Sequence, residues 1–69
     1  MKKITQAFMK ILMSVGVQED NIKGITELLY DNLEGMDKLV EYIKQNLNAT
    51  ESEIIKKSLE IAKDLGKIK

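Results

Sequence analysis

Three carboxylate pairs come nearest to chemistry by type and spacing: Glu51 with Glu53, Glu27 with Asp31, and Glu34 with Asp37. Two carboxylates held close can divide general acid and general base work, or share a divalent cation. Their surroundings argue for plainer roles. Glu51 and Glu53 fall where a helix starts, and acids there complement the positive end of the helix dipole. The other pairs lie on polar helical faces or beside a turn. The acids between residues 31 and 37 lack the ligand spacing of an EF-hand loop.

The 69 residues include no histidine and no cysteine. The commonest general base, the best nucleophile and the usual zinc ligand sets are therefore missing. No serine has a base to activate it, and no glycine-rich phosphate loop is present. Asn48-Ala49-Thr50 matches the glycosylation tripeptide, but a capping role explains Thr50 without it. The expectation is a non-enzymatic protein with no catalytic residue, cofactor or metal.

Those carboxylates sit on a framework with helical rhythm. Thr50 stands three residues before Glu53, the spacing of a capping box. Behind it Ile54, Ile55, Leu59, Ile61, Ala62 and Leu65 share one face, and Gly66 supplies a left-handed stop. Before the corner at residues 48–50, Met36, Leu39, Val40, Ile43 and Leu47 form a second stripe. So short a connection makes the two helices antiparallel neighbours.

Upstream, Ile4, Phe8, Ile11, Leu12 and Val15 share a face. Gly16 ends that helix, with Val17 folding back onto Leu12 in a Schellman-type stop. Met9 and Met13, four apart, extend the apolar surface to another side, so this helix calls for burial on more than one side. The next helix opens near residues 18–21 with Glu19 and Asp20 in its first turn, and Val17 and Ile22 can staple its start. Its stripe is Ile22, Ile25, Leu28, Leu29 and Leu33, with Gly24 opposite. The cluster Asp-Asn-Leu-Glu-Gly at residues 31–35 reads as a break. The stripe keeps its phase through Gly35 into Met36, Val40, Ile43 and Leu47, so one long kinked helix is the alternative.

The fold class is thus all-α: one helical domain over residues 1–69, a four-helix bundle with helices near 3–15, 19–33, 36–47 and 51–65. The expected core is Phe8, Ile11, Leu12, Ile25, Leu29, Leu33, Leu39, Val40, Ile43, Ile54, Leu59, Ala62 and Leu65. So small a chain without disulfides or metal packs very efficiently or oligomerises; a homodimer is the expectation.

Formal net charge is zero, from 11 lysines and 11 acids, with no arginine. Residues 1–17 carry +3, residues 18–37 carry −5 and the remainder +2. Gln6 and Lys10 interrupt the first apolar run, no small-residue cleavage site follows it, and no run is long enough to span a bilayer. A cytoplasmic protein with no membrane association is expected. Residues 49–59 resemble the start of the second helix of ribbon–helix–helix repressors, whose basic strand enters the major groove. That resemblance, or a helix-turn-helix reading, implies a DNA-binding regulator. Neutral charge and the absence of arginine make nucleic acid an unfavoured partner. The preferred function is protein–protein interaction, of inhibitor or adaptor type and possibly phage or mobile-element encoded, with Phe8, Met9, Met13, Tyr30 and Tyr42 as candidate contact residues. Methionine adapts to irregular partner surfaces, and tyrosine buries a ring while keeping its hydroxyl wet.

Overall fold

The computed structural model describes residues 3–30 and 32–67. Asp31, of the Glu27–Asp31 pair, lies outside them, as do Met1, Lys2, Ile68 and Lys69. The described residues form four helices and no strand: α1 (Lys3–Ser14), α2 (Glu19–Leu28), α3 (Leu33–Gln45) and α4 (Glu51–Asp64). Going round the bundle the order is α1, α2, α4, α3, with α3 closing onto α1. The globule measures 27 × 25 × 21 Å.

Local signals set the ends of the helices. At the end of α1, Val17 N–H donates to Leu12 O at 3.1 Å and Gly16 N–H to Met13 O at 3.1 Å, with Gly16 at φ +88°. This is the Schellman pattern. It recurs after α4, where Lys67 N–H reaches Ala62 O at 2.8 Å around Gly66 at φ +77°. Thr50 Oγ1 accepts from Glu53 N–H at 3.2 Å, and Glu53 Oε1 accepts from Thr50 N–H at 2.9 Å, so the capping box is complete.

The break lies earlier than the sequence suggests, and the single kinked helix is excluded. α2 stops at Leu28, and Asn32 Oδ1 accepts from Gly35 N–H at 2.7 Å, starting α3 at Leu33. An asparagine at the N-cap outcompetes a helix that would otherwise run through. Gly35 therefore belongs to the first turn of α3 and is buried. A Cβ there would stand 2.9 Å from Leu65 Cδ1 and 3.2 Å from Leu29 Cδ2. The bare backbone lets α3 close onto these leucines.

The core is Phe8, Leu12, Val17, Ile22, Ile25, Leu29, Met36, Leu39, Ile43, Ile54, Ile61 and Ala62. Ile11, Val40 and Leu65 are only half-buried. Two expected core residues prove exposed: Leu33 at 55% and Leu59 at 46%. Leu33 occupies the first position of α3 once the break resets the register. Leu59 sits at the margin of the α4 stripe, whose buried centre is Ile54, Ser58, Ile61 and Ala62. Leu47 is 73% exposed because α3 stops two residues before it, where Asn46 Nδ2 donates to Tyr42 O at 2.9 Å. In α1 the buried line runs through Thr5, Phe8 and Leu12, which leaves Ile4 at the edge. Ser58 settles its buried hydroxyl on Ile55 O at 2.7 Å, whereas the buried Thr26 Oγ1 has no partner.

These two buried features give opposite expectations. Thr26→Val removes an unpaired hydroxyl at constant shape and should raise stability by about 1 kcal/mol. Gly35→Ala gains helix propensity but overpacks against the fully buried Leu29, and should lower stability by about 1 kcal/mol. Thermal unfolding followed by circular dichroism reads both, as midpoint shifts of opposite sign and roughly 4–8 °C each.

Candidate interaction surface

The five candidate contact residues do not form one patch. Phe8 is 2% exposed and belongs to the core, so its ring is not presented to a partner. Met9 is half-buried and Met13 is 66% exposed, and together they line a groove between α1 and α2 with Val17, Ile22, Glu19 and Lys23. Tyr30 is 55% exposed in the α2–α3 turn, where its carbonyl oxygen accepts from Lys67 Nζ at 3.5 Å. Tyr42 is half-buried on α3, with Lys57 Nζ of α4 5.5 Å from the ring centroid, a cation–π distance.

The carboxylates have structural work. Glu51, placed by its sequence position in the dipole of α4, instead reaches across to α2: its Oε2 accepts from Gln18 N–H at 2.6 Å and from Asn21 Nδ2 at 2.9 Å. Gln18 is the N-cap of α2 and has no side-chain capping bond of its own, so the carboxylate supplies that cap. Nothing local could reveal it, since the partners lie 30 and 33 residues away. Glu53 is committed to the capping box. Glu34 Oε1 stands 3.6 Å from Lys38 Nζ and lines, with Asp37, Glu41 and Asp64, an open groove between α3 and α4. Among the described residues no three acids gather closely enough to hold a metal ion, and no helix is long and apolar enough to cross a membrane.

A second groove runs between α2 and α4, over Ile25, Leu28, Ile55 and the exposed Leu59, with Gly24 on its wall. The sequence reading did not assign it. The signal was an apolar arc on α4 wider than one neighbour could cover.

The hydrogen bonds from Asn21 and then from Gln18 hold the Glu51 carboxyl below its ordinary 4.5, and the backbone and hydroxyl of Thr50 do the same for Glu53. A depressed folded value means that the stabilisation is fully present above about pH 4.5 and drains away as pH falls through the folded value. Urea unfolding from pH 7 to pH 3 should show stability declining below about pH 4.5. The decline should be shallower in Glu51→Gln, whose amide oxygen still accepts but does not titrate. Equal pH profiles for the two proteins would contradict the α2–α4 bridge.

No protein-family model, no curated protein and no solved structure matches this chain.

Proposed function

We propose that this chain is a non-enzymatic interaction protein of adaptor or inhibitor type, working as a homodimer and offering a helical surface to a further protein. The cytoplasm is its proposed compartment. The observation that carries the reading is the methionine flank. Met13 stands two-thirds exposed within α1, and with Met9 it overhangs an apolar groove on Val17 and Ile22. An unbranched thioether beside a shallow apolar groove can adapt to a partner's side chains, and burying such surface is the usual driving force of association. Glu19 and Lys23 edge the groove with one charge of each sign, which suits a polar rim around an apolar contact.

The DNA-binding alternative gains nothing further. The ribbon–helix–helix resemblance covers only the α4 start, no strand precedes it among the described residues, and the groove between α3 and the later turns of α4 carries four acids against two lysines. Retention on heparin with a steep salt dependence would reverse that judgement.

Tagged chain used as bait in lysate of its native host should retain a defined protein. Met9→Lys/Met13→Lys, with helicity unchanged by circular dichroism, should lose it. A double variant that retains the same protein as wild type would remove the methionine flank from the interaction.

A further inference from the structure

The α2–α4 groove has no part in the methionine contact, yet it has features that folding alone does not require. Leu59, midway along α4, is 46% exposed beside Ile55 and Leu28. Gly24 lies within α2, and a Cβ built there meets nothing within 4 Å. Glycine inside a helix costs about 1 kcal/mol relative to alanine, and no contact among the described residues calls for it. The two helices run side by side in the same sense, because Glu51 at the start of α4 holds Gln18 and Asn21 at the start of α2.

The rims of this groove are oppositely charged. At about 100° per residue, Asp20 and Glu27 fall outside Gly24 on α2, while Lys56 and Lys63 fall outside Leu59 on α4. All four are exposed. Members of each pair are seven residues apart, two helical turns or about 10 Å. The acidic rim and the basic rim therefore have the same repeat.

We propose that a second copy of this chain docks face to face on this groove, about a twofold axis running along it. That operation lays α2 of each copy over α4 of the other with the helices parallel. Asp20 and Glu27 then face the lysine pair of the second copy, and the same contact forms twice. A twofold axis across the groove would instead stack α2 on α2 and set acid against acid, so charge selects the first arrangement. Exposed ion pairs add little affinity. The apolar floor drives association, the rims set its register, and Gly24 lets the backbones approach. This inference rests on the homodimeric reading above and names the face that serves it.

Sedimentation equilibrium of the full chain tests the proposal. Wild type should dimerise reversibly. Asp20→Lys/Glu27→Lys and Lys56→Glu/Lys63→Glu should each, alone, weaken self-association about tenfold or more, since like charges now oppose. Mixed one to one, the two variants should associate again, because bases face acids at both contacts; this recovery shows that each variant is folded. A monomeric wild type would overturn the proposal, as would a mixture that stays monomeric. Variants that each dimerise like wild type would also overturn it, while leaving the homodimer and the methionine contact standing on another face.

Discussion

The structure depends on burying four apolar stripes against one another, because none of the helices is long enough to stand alone. They contain 12, 10, 13 and 14 residues, and isolated helices below about 12–15 residues are marginal in water. Leu12, Leu29, Leu39 and Ile54, contributed by or just after each of the four, are at most 1% exposed and belong to one core. Each helix packs against two neighbours round the bundle, and each stripe needs both of them for cover. The caps add to this by satisfying helix ends that the short elements leave open, and Glu51 joins two such ends with one carboxylate.

What was legible in the sequence is what depends on a few neighbouring residues. Thr50 with Glu53, Gly16 with Val17, and Gly66 each announce a helix end through local hydrogen bonding. The class and number of helices follow from apolar spacing. The register across the α2–α3 turn was not legible, because an unbroken stripe and a broken one have the same spacing around Gly35. The hydrogen bond from Gly35 N–H to Asn32 Oδ1 decides between them. The depth of burial was equally hidden. Thr5, Thr26 and Ser58 are buried while Ile4, Leu33 and Leu59 are exposed, since each helix rotates to satisfy all its neighbours at once.

The candidate contact residues followed the same division. Met9 and Met13, read as surplus to one apolar face, line a groove between α1 and α2. Phe8 shared that helix and went to the core. The α2–α4 groove arises between elements about 30 residues apart in sequence, and only the wide apolar arc on α4 hints at it locally. Glu51 brings the starts of those two helices together. Of the acids, Glu51 and Glu53 are spent on helix ends.

Native-state hydrogen exchange of the backbone amides measures the mutual dependence of the four helices most directly. Buried amides of α1, α2, α3 and α4 should open with one common free energy, and Leu39→Ala should lower it equally in all four. An α3–α4 hairpin that keeps its protection while α1 and α2 exchange freely, or the converse, would contradict a core on which every helix depends.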